Sequence, residues 1–401
     1  MQKGSFQWMK SLNKSIVLNK IRTDGPISRA LIAKETNLTP PTVSTIVKEL
    51  LDAELIAESE QGESQGGRKP TMLVINSSRF YVIGLDTGPK TLRAVLVNLT
   101  GELAGKRSCD IPVNATSDEL ISFLIDTIHS LVEDHRDKEV IGIGVGMHGV
   151  VDVKEGVGLF APILGLKNIP IKAKLEKEFG VQVQADNDVR VMAFGEYWFE
   201  GHRGDHNMVT VNIGHGVGAG IVLNGKLFHG EHHLAGEIGH MTIDLSGKPC
   251  SCGNNGCWQT LIAGPAIGEA AQEELSLGRA SSLRELSGGN IESIDGQMVF
   301  EAANQGDSLA VEVLNKTGVF IGIGLTNLIH MLNPSKIIIG GGVSGASEFI
   351  LPRIKETIGM RALTERAKNT EILTSSHGMY GTAMGAAALV LAEIFDEAAE
   401  V

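Results

Sequence analysis

The sequence predicts an α/β body preceded by a smaller, mainly helical module. Beyond Tyr81, apolar strand-like runs alternate with stretches of helical period, the pattern of an α/β fold with a largely parallel sheet. Before it lie three short helical stripes, each bounded by a cap or breaker. Charge divides the chain in the same place. Residues 1–80 hold eleven Lys/Arg against eight Asp/Glu, a net of +3, so the remainder carries −15 within a total of −12.

At 401 residues and 42% hydrophobic, the chain can build two or three domains around a large core. Its net charge excludes a protein that coats nucleic acid over its whole surface, and the asymmetry implies two modules with different partners. No N-terminal stretch reads as a secretory signal, and the apolar runs 141–151 and 337–343 are too short and glycine-rich to span a bilayer. A cytoplasmic location with no membrane partner is expected.

In the front module, Ile16, Val17, Leu18 and Ile21 make a helical stripe that Asp24-Gly25-Pro26 breaks. Ser28 can cap a second helix reaching Thr36, burying Ala30, Leu31 and Ile32 or Ala33, and Asn37 suits the left-handed residue that ends it. Thr39 can cap a third helix with Pro40 at its first position and Val43, Ile46, Val47, Leu50 and Leu51 on its apolar face. Three helices so joined form a helix-turn-helix. The outer face of the third offers Pro41, Thr42, Ser44, Thr45 and Lys48 to base edges and phosphates. Strands at 55–60 and 71–75 flank a glycine-rich hairpin ending in Arg68 and Lys69, a wing able to place Arg68 in a narrow minor groove. Solvated loop charges are the alternative for these two cations. A winged helix-turn-helix over residues 1–77 is the expected first domain, with DNA as its partner.

In the body, a strand at 81–85, the turn Asp86-Thr87-Gly88-Pro89-Lys90-Thr91 and two further strands at 93–98 and 109–113 read as the opening of an actin-like nucleotide fold. Thr116 with Glu119 can form a capping box for a helix bearing Leu120, Ile121, Leu124, Ile128, Leu131 and Val132. A strand at 140–146 leads to Gly149, and one at 180–184 leads to Asp186-Asn187-Asp188, which opens a helix through Tyr197. Two carboxylates and an amide at such a junction can hold sugar hydroxyls, and one carboxylate could take a hydroxyl proton. Simple capping of the helix by Asp186 or Asn187 is the alternative. Glycines at 214–220 and 340–342 follow the strands 208–213 and 336–339, residues 263–330 read as mainly helical, and a small-residue helix spans 383–395. No internal repeat stands out.

His240, Cys250, Cys252 and Cys257 fall within eighteen positions, in a chain with only one other cysteine. A Cys₃His set is what tetrahedral Zn²⁺ takes, and a filled shell makes the ion structural. Gly253 and Gly256 allow the necessary tight turning. A buried cysteine cluster or a disulfide is the alternative, although a C-x-C pair makes a poor disulfide. Cys109 reads as a small buried hydrophobe.

The run from Gly214 to Gly218, Gly230, Ala235-Gly236-Glu237-Ile238-Gly239-His240 and Cys250-x-Cys252-Gly253-x-x-Gly256-Cys257 resembles the ROK family of repressors and sugar kinases. With the helix-turn-helix and the Gly66-Gly67-Arg68-Lys69-Pro70 wing in front, it resembles the repressor branch. The resemblance implies a two-lobed, hexokinase-like body over residues 78–401 with its zinc loop at 240–257. It also implies a sugar site of Asn187, Asp188, Glu237 and His240, with Asp188 at the position of the kinase base; Gln259, where the family keeps a glutamate, and Gly149, preceded by His148 where the family keeps a proline, join it as departures that can still meet hydroxyls. The implied partners are a palindromic operator, a sugar effector, xylose first, and a second copy of the chain. Where family kinases carry Asp-x-Gly-Gly-Thr, this chain has Asp86-Thr87-Gly88-Pro89-Lys90, and where they carry Gly-Thr-Gly it has Gly214-His215-Gly216. Proline removes an N–H and His215 adds bulk, so neither ATP binding nor kinase activity is expected. A kinase with a DNA-binding arm, or a regulator governed by a protein partner, is the alternative.

Overall fold

Local rules account for the N-terminal elements of the computed structural model, which describes residues 12–61, 70–199 and 206–395. Helix α1 (Leu12–Asp24) buries Val17, Leu18 and Ile21 but leaves Ile16 37% exposed. After β1 (Ile27–Ser28), Ser28 Oγ accepts from the Leu31 amide at 3.3 Å and starts α2 (Arg29–Thr36), which Asn37 closes at φ 57°. Helix α2 buries Ile32 and Ala33, whereas Ala30 and Leu31 face solvent, against the sequence expectation. Neighbouring helical residues point about 100° apart, and so short a helix turns a single narrow stripe inward. In α3 (Pro40–Asp52), Thr39 caps the first turn and Val43, Ile46, Val47 and Leu50 are buried. Strands β2 (Ile56–Gln61) and β3 (Thr71–Ile75) pair antiparallel, and β1 adds to β3 to give the order β1-β3-β2.

The chain divides into two compact units, one of residues 1–199 with 382–401 and one of residues 200–381. In the first, β4 (Phe80–Thr87), β5 (Thr91–Asn98), β6 (Leu103–Asp110), β7 (Glu139–Met147) and β11 (Gln182–Asn187) form a sheet of order β11-β7-β4-β5-β6. Its β4/β7 and β7/β11 pairs are parallel and its β4/β5 and β5/β6 pairs antiparallel, so it is mixed, not largely parallel. Short turns joining the first three strands permit only hairpins. Helix α4 (Ser117–Glu133) starts with the expected capping box of Thr116 and Glu119. Strands β8 (Val150–Asp152), β9 (Val157–Ala161) and β10 (Leu166–Ile169) make a small separate sheet, followed by α5 (Ile171–Phe179). Helix α6 (Asp188–Phe199) leaves β11 directly, and the chain's last helix, Gly381–Phe395, belongs to this unit too. Cys109 is half-buried, its sulfur 3.7 Å from Thr127 Oγ1.

The second unit repeats the same sheet order, β14-β13-β12-β15-β16. Its strands are β12 (Met208–Ile213), β13 (Val217–Leu223), β14 (Lys226–Leu227), β15 (Lys336–Gly340) and β16 (Glu371–Thr374). Three sequential hairpin strands lie beside two parallel ones in both units. Helices α7 (Gly264–Ser276), α8 (Ser308–Leu332) and α9 (Ser347–Arg361) supply much of its core. Helix α8 and the Gly378–Phe395 segment are long and apolar enough to cross a membrane by composition, but more than half of each is buried inside the protein.

Candidate functional site

In the first unit, the parallel strands β4, β7 and β11 end in register, with Asp86 and Asp186 both opposite Gly146. Open α/β sheets bind ligands beyond such carboxyl ends. The residues that continue from there are His148, Gly149, Asn187 and Asp188.

Asp186 is 1% exposed and pairs with Arg190 Nε at 2.7 Å, so this carboxylate holds the first turn of α6. Asn187 Oδ1 accepts from the amides of Val189 and Arg190 at 3.0 and 3.2 Å. Its Nδ2 donates to the Gly149 carbonyl at 2.9 Å and to Asp188 Oδ1 at 2.8 Å. All four hydrogen-bonding positions of this amide are thereby taken. Asn187 caps the helix and aims Asp188, whose Oδ2 lies 3.7 Å from His148 Nδ1. Asp86 is buried and bonded by Arg93 at 3.3 Å. Burial pushes its carboxyl up to about 7, as does the charge of Asp188, while Arg93 and His148 pull it back. The phosphate-type turn beside it is closed on itself, because the Gly88 amide donates to the Thr91 carbonyl at 3.2 Å.

In the second unit, the Gly214 amide likewise donates to Gly216 O at 2.9 Å. Glu237 is exposed and precedes the one-turn helix Ile238–His240. The cysteine loop folds back by paired backbone, with the Cys250 amide on Asn254 O at 2.7 Å and the Trp258 amide on Met241 O at 2.8 Å. Gly256 has φ 67°, and a Cβ there would overlap the Asp244 carbonyl, so the return admits no other residue.

This folding brings the ligand atoms of His240, Cys250, Cys252 and Cys257 within 4.8 Å of one another, and the three cysteines are free thiols. Cys250 Sγ lies 3.7 Å from His240 Nδ1, and Cys252 Sγ lies 3.7 Å from Cys257 Sγ. A tetrahedral ion with thiolate bonds near 2.3 Å requires sulfurs about 3.8 Å apart, so the cluster fits a metal. Burial raises both inner thiols. At Cys250 it is outweighed by hydrogen bonds from Cys252, Gln259 and His240, which bring the thiol down to about 6. At Cys257 the neighbouring sulfurs add to burial and push it up to about 12. Cys250 therefore ionises readily, and a bound cation would draw Cys257 to ionise as well. Gln259 turns its Nε2 to Cys250 Sγ at 3.2 Å, and the buried Trp258 ring donates to Phe320 O at 2.9 Å, fastening the loop to α8. Because His240 Nδ1 faces the thiols, its other ring nitrogen is presented on the opposite side.

In the N-terminal module, Pro41, Ser44, Thr45 and Lys48 are exposed on α3 and Thr42 is half-buried. Two of the hydroxyls are engaged locally, Thr42 with Thr39 at 2.8 Å and Thr45 with the Pro41 carbonyl at 3.1 Å. Arg68 and Lys69 lie outside the described residues. Sequence reasoning did not connect Arg93 to Asp86 or His148 to Asp188, since strand register alone brings them together.

Comparison with known proteins agrees with this arrangement. The ROK family matches residues 82–393, and a winged helix-turn-helix DNA-binding family matches residues 17–57. The chain is 30% identical to the xylose repressor of Caldicellulosiruptor bescii, over 98% of both chains. It is 31% identical to the DNA-binding transcriptional dual regulator NagC of Escherichia coli, over 97% of this chain and 94% of that one. It superposes with a TM-score of 0.85 and 31% identity on a crystal structure of a ROK family transcriptional regulator, a homologue of the E. coli Mlc protein, over 97% of each chain. The chain therefore belongs to the ROK family and carries that family's body behind a winged helix-turn-helix.

Proposed function

We propose that this protein is a sugar-responsive, DNA-binding transcriptional repressor of a carbohydrate-utilisation operon, with D-xylose as its effector. The observation that carries the reading is a capped helix, α3, with Ser44, Thr45 and Lys48 turned to solvent, joined in one chain to a ROK body. Similarity to xylose repressors along nearly the whole chain supports xylose, and the 31% identity to the N-acetylglucosamine repressor of Escherichia coli O157:H7 makes an N-acetylated hexosamine the second candidate.

In this reading Pro41, Thr42, Ser44, Thr45 and Lys48, with Arg68 and Lys69 of the wing, contact a palindromic operator as a homodimer. Asn187, Asp188, Gly149, Glu237, His240 and Gln259 serve sugar recognition, as the family resemblance implies. His240, Cys250, Cys252 and Cys257 hold a structural Zn²⁺, which cross-links the loop that carries His240. ATP is not expected as a cofactor in this reading, since Pro89 removes a backbone donor from the first phosphate-type turn and His215 adds bulk to the second. The protein acts in the cytoplasm. Sugar shifts the equilibrium because it binds the DNA-free form more tightly than the DNA-bound form.

Fluorescence anisotropy tests this with a duplex that the protein selects from a random-sequence pool. Adding D-xylose should release the DNA. Release by N-acetyl-D-glucosamine alone would reassign the effector, and indifference to every sugar would overturn sugar control. Hydrolysis of ATP in the presence of a sugar would favour a kinase, the alternative that Asp188 supports.

A further inference from the structure

A cation from the DNA-binding module sits on the far end of the helix that begins at Asp188. The guanidinium carbon of Arg22 on α1 lies 4.0 Å from the centre of the Trp198 ring and 5.4 Å from that of Phe395. The two rings are 6.3 Å apart, and Phe194 stacks on Trp198 at 5.9 Å. Arg22 Nε donates to Asn19 Oδ1 at 3.0 Å, which fixes the guanidinium on its own helix. A cation within about 6 Å of an indole face is held there by the ring quadrupole.

Trp198 lies ten residues beyond Asp188 on α6, so about 15 Å of helix separates the carboxylate from the ring. That length is braced throughout. The buried Asp186–Arg190 pair fixes its first turn, and every residue from Arg190 to Glu196 is buried. Helix α6 approaches the Gly381–Phe395 helix so closely that a Cβ at Gly385 would overlap the Val191 carbonyl. The Gly381–Phe395 helix lies equally close on β4 and β7, where a Cβ at Gly84 or Gly144 would overlap the carbonyls of Ala383 or Ala386. Near Phe395, Glu393 accepts from Gln182 and Gln184 of β11. Close-packed elements of this kind move as bodies, so a displacement at one end of α6 arrives at the other. On the receiving side, Lys14 of α1 pairs with Glu49 of α3 at 2.6 Å and Lys20 of α1 pairs with Glu35 of α2 at 2.5 Å.

We propose that the stack of Arg22 on Trp198 and Phe395 is the positioning contact through which ligand binding at Asp188 is transmitted to the DNA-binding module. The inference rests on the sugar-responsive reading above. A hydroxyl bonding to Asp188 competes with the contacts that this carboxylate makes to Asn187 Nδ2 and the Val189 amide at 2.8 and 3.0 Å. Helix α6, held together from its first turn onward, then shifts as one body, the Trp198 face moves beneath Arg22, and α1 carries α3 with it.

The test uses the full chain, unaltered and as Arg22→Ala, Arg22→Lys, Trp198→Leu and Trp198→Phe. The DNA is the duplex selected by the unaltered protein, and the sugars are D-xylose, D-glucose and N-acetyl-D-glucosamine. The reading is the ratio of DNA dissociation constants with and without sugar, with sugar affinity measured separately by calorimetry in the absence of DNA. Arg22→Ala and Trp198→Leu should keep sugar affinity within about twofold while the ratio falls about 3- to 10-fold. Arg22→Lys, which keeps the charge, and Trp198→Phe, which keeps a ring, should recover most of it. A contact that merely stabilised the fold would lower thermal stability and leave the ratio alone. An unchanged ratio in both truncations overturns the inference and leaves the sugar-responsive reading intact. If no sugar alters DNA binding by the unaltered protein, both fall. Should Trp198→Leu not fold, Arg22→Ala, a change at a half-buried position, decides.

Discussion

Oδ2 of Asp188 lies 3.7 Å from Nδ1 of His148, at the ends of neighbouring strands, and the Asp188 carboxylate is otherwise held by its own helix amide and Asn187. The imidazole sits beside the carboxylate where the two strands end. Asp188→Asn should therefore remove sugar binding by at least tenfold while leaving DNA binding intact, because one carboxylate lost from a hydrogen-bonded site costs about 1.5–3 kcal/mol. Calorimetry with the effector checks this, and an unaltered affinity would take Asp188 out of the site.

Stability should depend on pH through Asp86. Burial raises its carboxyl from 3.8 to about 7, so the folded chain holds the proton more tightly than the unfolded chain. The resulting stability is complete below about pH 4 and is lost as pH rises through about 7. Asp86→Asn has no such loss. Relative to the unaltered protein, its stability should gain about 2 kcal/mol between pH 5 and pH 8. Urea titrations at the two pH values measure the difference, and a constant difference would show that this carboxyl does not titrate there.

Cys252 is the exposed member of the Cys₃His cluster, so Cys252→Ser disturbs packing least and isolates the proposed ligation. The variant should lose most of its zinc by elemental analysis and melt at a lower temperature, since metal affinity in such sites is folding free energy. A chelator should reproduce the effect in the unaltered chain. The Trp258 indole, which bonds Phe320 O and packs on Gly324, should shift its fluorescence as the loop loosens.

Lys48 projects from α3 into solvent. Lys48→Ala should weaken binding to all duplexes about equally and reduce the slope of log affinity against log salt by about one. Arg68→Ala should weaken operator binding without changing sugar affinity. A full-strength complex would show that the wing does not touch DNA.

The parts of this protein that depend on neighbours within one turn of chain were decided by its sequence. Ser28, Asn37, Thr39 with Pro40, and Thr116 with Glu119 all do in space what their spacing indicates, because a cap reaches only three residues. The Cys₃His cluster was legible as well, because its four side chains lie on one short loop. Beyond that range the sequence fell silent. The repeated strand order of the two units leaves no repeat in the residues, because many apolar sequences satisfy one sheet. Which face of α2 is buried, and that Asp186 belongs to Arg190, depended on what packs against them. Arg22 meets Trp198 and Phe395 from positions 176 and 373 residues away. Only the return of the chain, admitted by glycines such as Gly84, Gly144 and Gly385 where backbones touch, brings that cation to those rings.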